Sequence, residues 1–264
     1  MAFVKRPAQA AAVVAAAAVA IFCGLAGTPA FAQTAIAPGG SAAFDVPGST
    51  SLYQVFGHSG TVTGTATDAP YFSFSATSGN VFTFTSVTGG LNCCGNPGDL
   101  ATPEGGNWLG PTSTITGING ISDAFGNTQL PLVAMFGSET DPFGATAPAA
   151  LPAWDAQNPV SQAPGLYQVF FVGDGRSGFN NAAGSLLTFT APTAATRLYV
   201  GFVDAGNFVG VSAWYHDNPG AVAGVVHLAA VPEPASVALM AAGLLVLLAA
   251  ARRRLRRMTA RVSR

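Results

Sequence analysis

Between residues 33 and 230 no span carries the 3.6-residue apolar repeat of a long amphipathic helix. Short runs rich in Phe, Val and Thr recur instead between clusters of Gly, Pro and Asn, at 52–56, 71–75, 81–87, 130–136, 166–172, 186–190, 198–203 and 222–228. β-Branched and aromatic residues fit a pleated surface, and the intervening turn formers break the chain too often for helices. The pattern predicts an all-β fold, an antiparallel β-sandwich, in one domain large enough to bury a sizeable core. The stretches 98–128 and 139–162 read as long loops, which in a compact domain are usually functional or disordered. The pentapeptide Leu-Tyr-Gln-Val-Phe occurs at 52–56 and again at 166–170. A match that short arises from a β-prone composition alone and implies no duplication.

Charge separates the body from the ends. Only 9% of the 264 residues are charged, and the body holds 11 acidic residues against Arg176 and Arg197, a balance of −9 hidden in a total of −1. A nucleic-acid binder needs the opposite sign. The remaining basic residues flank two apolar segments. Lys5 and Arg6 precede an Ala/Val/Ile run, and Ala30-Phe31-Ala32 offers a small-residue cleavage site before Gln33. This is an export signal over 1–32, a signal helix removed by signal peptidase. Cys23 follows Phe22 rather than a small residue, which argues against lipidation.

At the other end Val231-Pro232-Glu233-Pro234 leads into an uncharged stretch, 235–251, followed at once by Arg252, Arg253, Arg254, Arg256 and Arg257. As a helix the stretch reaches about 26 Å, near the lower limit for a membrane span, and the arginines hold its far end in the cytoplasm. The body is then outside, anchored at first to the inner membrane. The tail, 231–264, resembles the PEP-CTERM sorting signal. That resemblance implies an exosortase as partner, processing near Pro232, Glu233 and Pro234, and delivery of the body to the cell surface or extracellular matrix of a Gram-negative bacterium.

Once the signal is removed, Cys93 and Cys94 are the only cysteines left. Three states stay open for them: a vicinal disulfide, two thiols, or pairing between chains. No C-x-x-C accompanies them, so the plain reading is a feature of the turn after the strand at 81–87.

Chemistry gathers in the last third. An alternating strand, Arg197 to Val203, ends in Asp204, and a Gly-containing loop leads to Trp214-Tyr215-His216-Asp217-Asn218-Pro219-Gly220. Asp204, Asp217 and Asn218 offer hard oxygen ligands, and backbone carbonyls can complete the six to eight oxygens that calcium takes. A lone His216 brings no second imidazole for a transition metal. The competing explanation is that Asp and Asn simply populate a turn.

These residues, with Leu187 to Pro192 before them, resemble the end of the galactophilic, calcium-dependent bacterial lectin (LecA-like) family, and 81–85 and 132–137 resemble its earlier strands. The resemblance covers about half of the body and implies a jelly-roll or lectin-like sandwich with Ca2+ as cofactor. It places the metal ligands at Asp204, Asp217, Asn218, the Trp214 carbonyl and a carbonyl near Asn92 or Cys93. It implies sugar contacts from Asp99, Thr102 and Glu104, in the segment Gly98 to Glu104. Two departures matter. Asp217 stands where the family has a neutral amide, adding a charge that favours calcium, and Thr102 stands where it has a sugar-binding His, so galactose specificity does not carry over.

Two other classes remain. An enzyme needs a nucleophile and base in reach of one another, yet His58, His216 and His227 are the only histidines, and neither G-x-S-x-G nor H-E-x-x-H occurs. Asp99 with Glu104 is the one carboxylate pair that suggests glycosidase work, and the expectation is no catalysis. The alternative to a calcium-dependent, carbohydrate-binding domain is a structural or adhesive matrix protein with no defined ligand site. Exopolysaccharide or other glycans are the expected partners in the first case.

Overall fold

The computed structural model describes residues 33–58, 62, 65–77, 79–96, 98, 100–106, 112–154, 160–179, 181–230, 239–240 and 242–248. The signal segment, the Pro-Glu-Pro motif and the arginine cluster lie outside the described residues.

The body is built of strands. In chain order they are β1 (Thr34–Ala35), β2 (Ser41–Pro47), β3 (Thr50–Ser51), β4 (Thr67–Asp68), β5 (Tyr71–Ser73), β6 (Val81–Asn92), β7 (Leu100–Ala101) and β8 (Ser113–Thr116). There follow β9 (Ala124–Gly126), β10 (Val133–Gly137), β11 (Ser161–Gln162), β12 (Val169–Phe171), β13 (Thr188–Thr190), β14 (Arg197–Gly201), β15 (Val209–Val211) and β16 (Gly220–Leu228). Three single 3₁₀ turns, Cys93–Gly95, Gly206–Phe208 and Tyr215–Asp217, are the helical elements of the body among the described residues.

Two sheets carry the core. One runs β1-β5-β14-β10-β12, and the other runs β11-β13-β6-β16-β2 with β7 added to β6. Their rings meet: Phe82 of β6 packs on Phe136 of β10 at 5.5 Å and on Phe74 at 4.8 Å, while Phe170 of β12 stacks on Phe189 of β13 at 4.7 Å. Such pairs add attraction beyond the area they remove from water. Alternation decides which side chains enter this core. In β2, Phe44 and Val46 are buried while Asp45 and Pro47 are exposed, as a period of two requires.

The all-β class read from the sequence holds, and seven of the eight expected runs contribute a strand. The exception is 52–56. Leu52, Tyr53 and Val55 are buried, but the chain turns there, with Phe56 at φ 56°. The Leu52 N–H goes to the Phe202 carbonyl and the Gln54 N–H back to Ser51, so the apolar residues fill the core from a turn rather than a ladder. The expected loop 98–128 is also corrected. It carries β7, β8 and β9, and β8 joins β9 to β15 in a separate three-stranded sheet, order β15-β8-β9. Across 139–162 the strand found among the described residues is β11, at its end.

Beyond the body, residues 239–240 and 242–248 are helical, with Leu239, Met240 and Leu244 through Leu248 all exposed. Among the described residues no helix is long and apolar enough to cross a membrane.

Phe82 is fully buried between the sheets, so Phe82→Ala removes a ring that touches both partners and leaves a cavity. The expected loss is about 3–5 kcal/mol, measured as a lowered midpoint in urea unfolding.

Candidate functional site

β14 ends at Gly201, and the chain runs on through Phe202 and Val203 to Asp204 before it turns at Gly206–Phe208, forms β15 and returns at Tyr215–Asp217. The return is pinned by backbone bonds. The Ala213 N–H donates to the Asp204 carbonyl at 2.9 Å, and Ala205 bridges Ser212. Tyr215, fully buried, supports the turn from beneath: its hydroxyl accepts the Asp204 N–H at 3.1 Å and lies 2.8 Å from Ser212 Oγ. Neither Tyr215 nor Ser212 was marked by the sequence pattern, because their role depends on a fold-back that spacing alone does not reveal.

Asp204 is only 3% exposed. Its Oδ1 accepts the Ala205 N–H at 2.7 Å, and its Oδ2 accepts Asn218 Nδ2 at 2.7 Å. Burial pushes its pKa up to about 7. The nearby Asp217 charge adds to the rise, against the two hydrogen bonds. Asn218 is equally buried at 3%, and with its amide nitrogen committed to Asp204 its Oδ1 has no hydrogen-bond partner. A buried amide oxygen left bare costs free energy unless something outside the chain satisfies it.

The other end of the site comes from β6. The Asn92 N–H donates to the Pro219 carbonyl at 2.8 Å, and the Cys93–Gly95 turn packs against Tyr215–Asp217. Cys93 and Cys94 are joined in a disulfide, with Cys93 buried and Cys94 exposed at φ 59°. Gly48 closes the back: a Cβ there would lie 2.1 Å from the Asn218 carbonyl, so the turn after β2 accepts only glycine at that spot.

The structure therefore brings Asp204, Asp217 and Asn218 together and fastens Asn92 beside them through Pro219. The Trp214 carbonyl already accepts the Asp217 N–H at 3.3 Å, and its second lone pair leaves it able to take a cation as well. A cation here would draw on carboxylate and amide oxygens, a hard donor set suited to calcium. Among the described residues no group of three or more His, Cys, Asp and Glu converges on a metal position, so backbone and amide oxygens would have to complete the shell.

The expected sugar-contacting segment is divided. Asp99 lies outside the described residues. Thr102, exposed, donates to the Gly105 carbonyl at 3.4 Å in a tight turn, and β7 just before it pairs Leu100 with Asn92, which sets this segment beside the site. Glu104 is 4% exposed, and its backbone carbonyl accepts the Thr128 hydroxyl at 2.8 Å.

Residues 230–254 match the PEP-CTERM protein-sorting motif. The motif implies processing by an exosortase and export to the cell surface of a Gram-negative bacterium. No curated protein and no solved structure matches the chain.

Because folding raises the Asp204 pKa to about 7, the folded state holds this proton more tightly than the unfolded chain, whose carboxylate titrates near 4. The stability that proton contributes is full below about pH 4 and lost as pH rises through 7. In chelator, the melting temperature should therefore fall between pH 5 and pH 8. Asp204→Asn should flatten that slope and melt higher than the wild type at pH 8, as read by circular dichroism.

Proposed function

We propose that the chain is an exosortase-sorted surface or matrix protein whose body is a calcium-dependent, carbohydrate-binding module on a lectin-like β-sandwich. The observation that carries the reading is the buried Asp204 carboxylate bonded to Asn218, whose Oδ1 is left unsatisfied, with the Asp217 charge near enough to raise the Asp204 pKa further. Two carboxylates brought together without a cation of their own repel one another, and a divalent ion reverses the sign of that interaction. Calcium would be held by Asp204, Asp217, Asn218 and the Trp214 and Asn92 carbonyls, leaving outward positions for sugar hydroxyls.

Two of the three histidines are held in contacts away from the proposed site, which favours binding over catalysis. His58 pairs with Asp141 at 2.6 Å and stacks on Phe143, and His227 bonds the Thr85 hydroxyl at 2.7 Å. Before sorting, the apolar segment 235–251 anchors the body on the periplasmic side of the inner membrane. The exposed leucines of 244–248 fit that phase, since water is a poor solvent for a helix apolar all round. The Cys93–Cys94 disulfide suits an oxidising compartment.

Calcium at about one hundred times its Kd should raise the melting temperature by about 5–10 °C over chelator, and Asp204→Ala should abolish the shift. No shift would overturn the calcium reading and leave a matrix or adhesion protein without a defined ligand site.

A further inference from the structure

Trp214 is 50% exposed, whereas Trp154 lies inside at 4%. It also holds a left-handed backbone, φ 73°, which costs an L-residue free energy and is rarest for bulky side chains. The neighbouring turn holds two left-handed residues, Asn207 at φ 55° and Phe208 at φ 57°. Phe208 places its ring in the core from such a backbone, at 2% exposure, whereas Trp214 turns its ring to water.

The ring is nonetheless held in place. It lies over Gly206, where a Cβ would stand 3.0 Å from the indole Nε1, so a side chain there would crowd the ring. The His216 ring flanks it at 5.7 Å, tilted by 30°. Gly206 is two residues beyond Asp204 and Trp214 three before Asp217, so the ring is borne by the same two turns that supply the carboxylates.

We infer that Trp214 is the stacking platform for a neutral hexopyranose whose hydroxyls reach the oxygen site of Asp204, Asp217 and Asn218. A pyranose presents polarised C–H groups on one face and hydroxyls around its rim, which matches an aromatic face beside a polar oxygen cluster. The ligand is neutral because the body carries a balance of −9, and a uronate would approach against that field. The hydroxyl contacts rest on the calcium reading; the stacking contact does not.

The test uses the full chain in mild detergent, with methyl α-D-glucopyranoside, methyl α-D-galactopyranoside and methyl α-D-mannopyranoside as probes. Saturation-transfer NMR should show protein contact at the ring C–H protons of at least one of them, and titration calorimetry gives its Kd. Trp214→Phe should keep most of the affinity. Trp214→Gly, which relieves the left-handed backbone, should weaken it about tenfold while the melting temperature in chelator stays level or rises. A platform that was merely structural would instead lower the melting temperature with the affinity. Unchanged affinity in Trp214→Gly, or no contact with any of the three glycosides while calcium still stabilises the chain, would overturn the platform and spare the metal. Trp214-dependent binding with no calcium shift would do the reverse.

Discussion

Three glycines let β6 and β16 approach one another and their neighbours more closely than side chains would allow. A Cβ at Gly89 would sit 2.3 Å from the Ala221 carbonyl, one at Gly90 2.2 Å from the Ala101 carbonyl, and one at Gly220 2.3 Å from the Gly90 carbonyl. The ladder they permit runs from Gly220 opposite Leu91 to Leu228 opposite Phe82, with a shift in register between Ala223 and Val225. One end of this ladder delivers Phe82 to the core between the sheets. The other brings Asn92 against Pro219 and the disulfide turn against Tyr215–Asp217, so core and site are two ends of one pairing. A change that slips the register moves both, because one residue of slip turns every side chain to the opposite face.

The site itself is a place where the fold holds charge against its preference. Asp204 is buried, its pKa pushed up to about 7, and Asn218 turns its nitrogen to that carboxylate at the expense of its own oxygen. The apolar neighbourhood is what makes this costly, since water would otherwise screen both groups. Tyr215 and Ser212 answer the backbone needs of the turn, and both Asp204 oxygens accept hydrogen bonds, which leaves Asn218 Oδ1 as the oxygen without a partner. Local disagreement of this kind, within a domain that elsewhere follows alternation and aromatic packing, is where function is expected to reside.

Much of this was legible in the sequence, for reasons that can be named. β16 and β14 combine β-branched and aromatic residues with turn formers at their ends, which marks them within two residues of their observed bounds, whereas β6 runs five residues past the 81–87 that the composition marks. β2 was not read, because Ser41, Ala42 and Ala43 carry no strand signal and its pairing depends on β16 being there to receive it. The turn at 52–56 was read as a strand because the same composition serves both, and only the tertiary bond from Leu52 to Phe202 decides between them. Asp204, Asp217 and Asn218 were legible as oxygen donors on two flanks of one loop. Glu104 is legible as a carboxylate, but its burial is not, because that depends on the turn the chain makes beyond β7. Nothing in the spacing could have indicated that Trp214 would have a left-handed backbone, because positive φ is a property of the closed loop.

The two ends of the chain bear on how strong the site must be. A sorting tail implies that the body works outside the cell, where extracellular calcium modules operate with Kd values of about 10⁻⁴–10⁻³ M. On the proposed reading, two carboxylates and one amide are then sufficient, and a shell of four or five charged ligands is not required. Weak binding also makes the proton a real competitor: a carboxylate that titrates near 7 is partly protonated at neutral pH, so calcium must displace that proton before it gains the full charge of Asp204. Acidification by two units would leave little of the ionised form available.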